Sequence, residues 1–135
     1  MSEPKPLTLG VDHVGLAVPD LARTRDFFVQ VLGFRVVGER PDYPAVFVSD
    51  GTVMITLWRV SDPTVARGFD RHAQVGLHHL ALRLESPDAV RRMHAHLVAA
   101  GVEIESPPVP LGATAGLHLM CREPGGIRIE FIARA

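Results

Sequence analysis

At 135 residues, with 47% hydrophobic and 21% charged residues, the chain has the length and composition of a single globular domain. Fourteen basic and 15 acidic side chains give a formal charge of −1, so charge provides no reason to expect a nucleic acid or an anionic membrane as a partner. The single cysteine, Cys121, excludes an internal disulfide and favours a reducing compartment. The first residues are too polar for a signal peptide and no apolar run has the length of a membrane span, so we expect a soluble cytoplasmic protein.

The first half of the chain predicts a strand, a helix and three further strands. Residues 9–18 alternate apolar and polar side chains like a half-buried strand. Asp20 is a suitable N-cap for a helix over 21–32, which Gly33 ends. Three strands follow, and the turn Asp50-Gly51 joins the last two. Their predicted ranges are 34–39, 45–49 and 53–59.

The second half repeats this order after a polar connector. Residues 60–75 lose the periodicity and are expected to hold one short helical turn at most. A strand is predicted over 77–84, and Ser86-Pro87-Asp88 begins a helix that Gly101 ends. Three strands complete the chain, with a Pro- and Gly-bearing loop at 106–116 between the first two. Their predicted ranges are 102–105, 117–122 and 127–133.

Both halves therefore have the order β-α-β-β-β, and their landmark residues align at an offset of 66 to 68 positions. The aligned pairs are His13 with His79, Pro19-Asp20 with Pro87-Asp88, and Gly33 with Gly101. Such a repeat predicts two modules, 9–60 and 76–134, joined by a connector at 61–75 within one domain over 1–135. Each module alone would expose a sheet face. We therefore expect an α+β fold in which two βαβββ modules form a cupped mixed sheet, with helices outside and a ligand cavity between the strands.

The repeat and its motifs resemble the vicinal oxygen chelate superfamily, which includes glyoxalase I, extradiol dioxygenases, methylmalonyl-CoA epimerase, fosfomycin-resistance transferases and bleomycin-resistance proteins. The resemblance covers residues 9–134 and rests on DHVGLAVPDL, on the FF and VLGF segments of the first helix, on HHLAL and on the closing EPGGIRIEFI. It implies paired modules around one divalent metal ion, commonly in a homodimer, and a small-molecule substrate.

The resemblance also implies a ligand set. The superfamily's metal ligands lie on the first and fourth strands of each module, and those positions fall on His13, His79 and Glu130 in this sequence. The remaining position, often Glu or Gln in glyoxalases and epimerases, falls on Thr56. Because Thr is a poor ligand for a divalent cation, we do not assign Thr56 to the metal.

Two imidazoles and one carboxylate also suit a metal on chemical grounds. Such a set binds divalent first-row metals and leaves positions open for water or a bidentate oxygen substrate. Fe2+ and Mn2+ suit it best, and Zn2+, Ni2+ and Co2+ also fit. Glu130 lies among Ile and Phe residues, where an unpaired carboxylate is costly to bury. The alternative is structural: a lone strand histidine is more often a packing residue, and Glu130 could face outward on an edge strand.

Strand alternation predicts which neighbours share the metal-facing side. His79 matches the motif, so we expect His78 outside or at an interface. His118 is a candidate general acid or base, with a plain pocket histidine as an equal alternative. The expected substrate pocket comprises Thr56, Trp58, Met54, Met120 and Arg128.

The ligand set leaves two classes of function open. By resemblance, the usual glyoxalase I reaction needs a carboxylate where this chain has Thr56. Extradiol dioxygenases and fosfomycin-type transferases work with two His and one Glu, although dioxygenase chains are usually longer. We therefore expect a metal-dependent lyase, isomerase or extradiol-type dioxygenase acting on a small oxygen-chelating substrate. The alternative is a metal-free binding or drug-sequestering protein of the bleomycin-resistance type.

Overall fold

The computed structural model describes residues 2–135, and its elements follow the predicted order. The first module contains β1 (His13–Val18), α1 (Leu21–Asp26), a π-helical turn (Phe27–Val31), β2 (Arg35–Arg40), β3 (Ala45–Ser49) and β4 (Met54–Arg59). A 3-10 turn (Pro63–Val65) lies in the connector. The second module contains β5 (Leu80–Arg83), α2 (Pro87–Ala99), β6 (Glu103–Pro110), β7 (Leu117–Arg122) and β8 (Arg128–Ala133).

Within residues 2–135 the strands form two four-stranded mixed sheets, one in each module, with the orders β1-β4-β3-β2 and β5-β8-β7-β6. The first and last strands of each module are parallel neighbours, and the other pairs are antiparallel. Gly15 pairs with Thr56 and Ala81 pairs with Glu130, so Thr56 and Glu130 occupy equivalent positions in the repeat. The predicted α+β fold of two βαβββ modules is confirmed.

One side of each sheet packs on the helices, and these sides share a single hydrophobic core. Alternate strand residues point toward it, as the period of a strand requires. The core includes Leu16, Val18, Ile55, Leu57, Leu119, Cys121, Ile129 and Phe131 from the strands, with Phe27, Phe28, Val90 and Leu97 from the helical segments. Burial raises the pKa of the Cys121 thiol to about 12, so Cys121 acts as a small packed residue. The opposite side of each sheet is left for the polar residues of the candidate site.

Side-chain caps and glycines set the helix ends as predicted. Asp20 accepts a hydrogen bond from the Arg23 backbone N–H at 3.1 Å, and Ser86 Oγ accepts one from the Ala89 N–H at 3.1 Å. Gly33, with φ of +80°, lies in the left-handed region just after the π-helical turn, where a side chain would be strained.

A buried polar contact joins the modules. Thr24 Oγ1 on α1 donates to Glu123 Oε2 at 2.8 Å, and Glu123 Oε1 accepts from the Ile127 N–H at 3.1 Å. Because Glu123 is only 2% exposed, both of its oxygens need such donors. Among the described residues, none of the helices is long and apolar enough to cross a membrane.

The strand boundaries differ from the sequence prediction in two ways. β6 continues to Pro110, so the first part of the predicted loop at 106–116 is wrong. Its prolines argued against a strand, but β6 is an outer strand of its sheet, where a missing N–H is tolerated, and its pairing with β7 shifts register twice. β1 and β5 are shorter than predicted, so His13 is the first residue of β1 and His79 immediately precedes β5.

Candidate functional site

On the side of the second sheet that faces away from the helices, the Glu130 carboxylate lies between two histidines. Glu130 Oε1 is 3.3 Å from His79 Nε2, and Glu130 Oε2 is 2.5 Å from His118 Nδ1. β8 lies between β5 and β7, which explains why residues from both neighbours reach its central carboxylate. Glu130 is only 8% exposed, so its desolvated charge requires partners of this kind. The structure thus brings together two of the three predicted ligands and adds His118.

His13, the third predicted ligand, has a different hydrogen-bond partner. Its Nδ1 is 2.7 Å from Asp12 Oδ1, and its side chain is 48% exposed. Since the carboxylate accepts the Nδ1 proton, the neutral ring keeps an unprotonated Nε2. Over residues 2–135, no three His, Cys, Asp or Glu side chains are grouped in a way that could hold a metal ion. The assignment of His13 as a metal ligand therefore stays a prediction.

A hydrogen-bonded network continues from His79 on the side opposite Glu130. His78 Nδ1 is 2.8 Å from His79 Nδ1 and 3.1 Å from Arg128 Nη1. Arg128 also donates to both oxygens of Glu105, with a shortest distance of 2.7 Å from its Nη2. The hydrogen bond from Arg128 holds the pKa of Glu105 below its ordinary value. Desolvation, and then the positive charge of Arg128, lowers the pKa of His78. The contacts of its ring with His79 and Arg128 make His78 part of the network.

The sequence reasoning missed Glu105 and the two further arginines around it. Arg122 Nη2 donates to Glu105 Oε1 at 2.7 Å, and Arg71 Nη1 lies 3.7 Å from the same oxygen. Arg122 pairs directly with Arg128 across β7 and β8. Two like charges at paired positions of a sheet repel each other, and this signal could have prompted a search for a bridging carboxylate.

In the first sheet, Thr56 belongs to an aromatic group. Its Oγ1 accepts from Trp58 Nε1 at 2.9 Å and donates to the Val14 carbonyl at 3.4 Å. Trp58 packs edge-on against Tyr43, with ring centroids 4.7 Å apart, and is tilted against Phe47 at 5.6 Å. The Thr56 hydroxyl is therefore bonded within the protein on both sides, and it is buried. Thr56 offers little to a cation.

The two predicted pocket methionines lie beside the candidate ligands in the strand ladders. Met54 pairs with His13 on β1, and Met120 pairs with Glu130 on β8. The sheet register therefore assigns Met54 to the His13 region and Met120 to the Glu130 region, and the two regions belong to different modules.

A cavity of about 180 Å³ lies beside the charged network. It is bounded by Gly15 and Ala17 of β1, by Phe69 of the connector, and by Leu77, His78 and Arg128 of the second module. Its walls are mainly apolar, with a charged group at one end. Arg128 is the residue of the predicted pocket that lines it.

Comparisons with known proteins agree with this fold. Residues 10–131 match the family model of the Glyoxalase/Bleomycin resistance protein/Dioxygenase superfamily. A glyoxylase/bleomycin resistance protein/dioxygenase domain from Frankia sp. is 23% identical with a TM-score of 0.77, covering 95% of this chain and 93% of that one. The genomically encoded fosfomycin resistance protein FosX from Listeria monocytogenes is 18% identical with a TM-score of 0.76, covering 96% of each chain. Lactoylglutathione lyase from Agrobacterium tumefaciens is 19% identical with a TM-score of 0.74, covering 95% of this chain and 96% of that one. Likeness at these identities shows the shared fold.

Proposed function

Because the chain belongs to the Glyoxalase/Bleomycin resistance protein/Dioxygenase superfamily, we propose that it is a divalent-metal-dependent enzyme acting on a small oxygen-chelating substrate. Family membership confirms the resemblance found in the sequence. The metal, the reaction and the site residues are proposed here. The reaction is that of a lyase, an isomerase or an extradiol-type dioxygenase.

The observation that carries the proposal is the buried Glu130 carboxylate between two imidazoles. The 3.3 Å between Glu130 Oε1 and His79 Nε2 exceeds the roughly 2.7–2.9 Å of a charge-assisted hydrogen bond. These two atoms therefore approach each other without a tight mutual hydrogen bond. A carboxylate oxygen and an imidazole nitrogen are ligand types that Fe2+, Mn2+ and Zn2+ accept, so the donor set fits such a metal. When bound, the metal would act as a Lewis acid toward the substrate oxygens.

Two neighbouring groups orient the proposed ligands. His118 Nδ1 donates to Glu130 Oε2, which leaves Oε1 for the metal, and Asp12 holds the His13 ring through Nδ1. Partners of this kind fix the ring orientation and raise the basicity of a metal ligand. With Nδ1–H bound to Glu130, the neutral His118 ring has Nε2 free to accept a substrate proton. The nearby carboxylate would stabilise the resulting imidazolium.

The third ligand, His13, would come from a second copy of the chain in a homodimer. His13 is half exposed, and its ring is bonded through Nδ1 to the exposed Asp12. β1 and β5 each lie at the edge of a sheet, where a strand has one side free to pair or pack. Apolar side chains near the starts of these strands are fully or largely exposed, namely Leu9, Val11 and Val75. Exposed apolar groups beside open strand edges support a contact between two copies.

A metal-free binding protein is the second candidate function. The mainly apolar cavity bounded by Phe69, Leu77 and Arg128 supports it, because the cavity could take a small molecule without any metal. Metal content separates the two candidates directly.

The test is elemental analysis and metal titration of protein purified without a histidine tag. We expect about one equivalent of Fe2+, Mn2+ or Zn2+ per chain, and loss of binding in His13→Ala, His79→Ala and Glu130→Gln. His94→Ala, on α2, is the matched control and should retain the metal. A wild-type protein that takes up none of these metals would overturn the enzyme proposal in favour of the binding protein.

A further inference from the structure

His78 contacts both a proposed ligand and an arginine through one atom. Arg128 Nη1 lies 3.1 Å from His78 Nδ1, and a guanidinium can only donate hydrogen bonds. His78 Nδ1 must therefore be the acceptor and carries no proton. The same atom lies 2.8 Å from His79 Nδ1, so the proton of that contact must belong to His79.

From this geometry we propose that His78, held by Arg128, is a positioning residue that fixes His79 in the Nδ1–H tautomer. A neutral His79 ring then has its lone pair on Nε2, the atom that faces Glu130 at 3.3 Å. The inference rests on the proposed function in one respect, since Nε2 is the atom assigned to the metal. An imidazole protonated on Nε2 cannot ligate through that atom.

Arg128, which contacts His78, is itself held in place by several hydrogen bonds. Arg128 donates from Nη1 to the His78 carbonyl at 3.0 Å as well as to the His78 ring, so it holds both the backbone and the side chain of this residue. Its other nitrogens bind the Glu105 carboxylate, and its side chain is only 11% exposed. A guanidinium bonded on three sides has little freedom to leave His78. Arg128 thus donates to Glu105 on one side and to His78 on the other, and His78 Nδ1 accepts from both Arg128 and His79.

The alternative is that His78 only fills space beside His79. The two roles predict different effects for substitutions of His78. A space-filling role needs a flat ring of similar size, whereas a tautomer-fixing role needs an acceptor at the Nδ1 position. His78→Phe keeps the ring and removes the acceptor. His78→Asn loses the ring but returns an acceptor, its Oδ1, near the same place. Since His78 is exposed, both variants should fold.

The experiment is nitrogen NMR of the imidazoles in metal-free protein at about pH 8.5, where histidines are ordinarily neutral. We expect His79 to carry its proton on Nδ1 in the wild type, to shift toward Nε2–H in His78→Phe, and to return in His78→Asn. His72→Phe, an exposed histidine of the connector, is the control and should leave the His79 spectrum unchanged. Metal affinity should fall about 10- to 100-fold in His78→Phe and recover in His78→Asn.

Two results would overturn the inference: a wild-type His79 protonated on Nε2, or a His79 tautomer unchanged in His78→Phe. The spectra are recorded without metal, so they judge the tautomer whether or not the enzyme proposal holds. A protein that shows the expected tautomers and binds no metal would refute the proposed function and leave the role of His78 standing.

Discussion

Mixing two metal-binding variants tests whether His13 joins His79 and Glu130 from a second copy. In the proposed dimer each site combines β1 of one copy with β5 and β8 of the other. A dimer of one His13→Ala chain and one Glu130→Gln chain then has both defects in one site and none in the other. The metal content of this mixed dimer should be about half an equivalent per chain, although each variant alone binds none.

The assay uses co-expression with two different tags that contain no histidine, so that tandem purification yields the mixed dimer alone. Metal is then counted by elemental analysis after dialysis. A dimer of His94→Ala and Glu130→Gln chains calibrates the measurement, because it should also bind about half an equivalent wherever the site lies.

A mixed dimer of His13→Ala and Glu130→Gln chains that binds no metal would refute the shared site, provided that the calibration dimer binds its half equivalent. That result would place all ligands within one chain. Full metal binding by His13→Ala alone would instead remove His13 from the ligand set, and His118 would then be the nearest candidate for the third position.

Two further predictions concern the carboxylates outside the metal site. Thr24→Val removes the hydroxyl that donates to the buried Glu123, so it should lower the free energy of unfolding by about 1–3 kcal/mol in urea denaturation. Thr52→Val, at an exposed position, is the control. An unchanged denaturation midpoint for Thr24→Val would contradict the role of this contact. The Arg128 hydrogen bond lowers the pKa of Glu105 in the folded state, so its stabilisation is fully present above the ordinary value of 4.5 and is lost as the pH falls through the folded value. Between about pH 5 and pH 3 the wild type should therefore lose more stability than Glu105→Gln, and parallel stability curves would show that the lowered pKa does not contribute.

The fold could be predicted because its signals are local and occur twice. Asp20 and Ser86 cap helices in both modules, Gly33 and Gly101 follow the helix ends, and the strand alternation matches the observed core. The error in β6 has a physical origin, since a proline counts against a strand in sequence but is tolerated at a sheet edge. Only the assembled sheet shows which strands are outer ones.

The site was predicted less completely than the fold, because its contacts join residues that are far apart in the sequence. Alternation placed Glu130, His118 and Arg128 on one side of the second sheet, and they are found in one network. The proposed role of His78 depends on its contact with Arg128, fifty positions away, whereas alternation and the motif match of His79 predicted His78 outside or at an interface. Glu105 was missed because it lies where the predicted strand ended. Sequence periodicity shows which side of a sheet a residue faces, whereas the residue's partners on neighbouring strands depend on the register of those strands.

The two modules have diverged at their equivalent central positions, and this divergence bears on how a site would be assembled. Glu130 lies in a network of ionisable groups, whereas Thr56, its equivalent, is closed off by Trp58 and Val14. Of the three proposed ligands, the first module contains His13, and the second contains His79 and Glu130. In the proposed site each of the two kinds of module therefore supplies part of the ligand set. In the proposed dimer a first module would bring His13 together with Met54 and the Trp58 group, because these share a sheet with it.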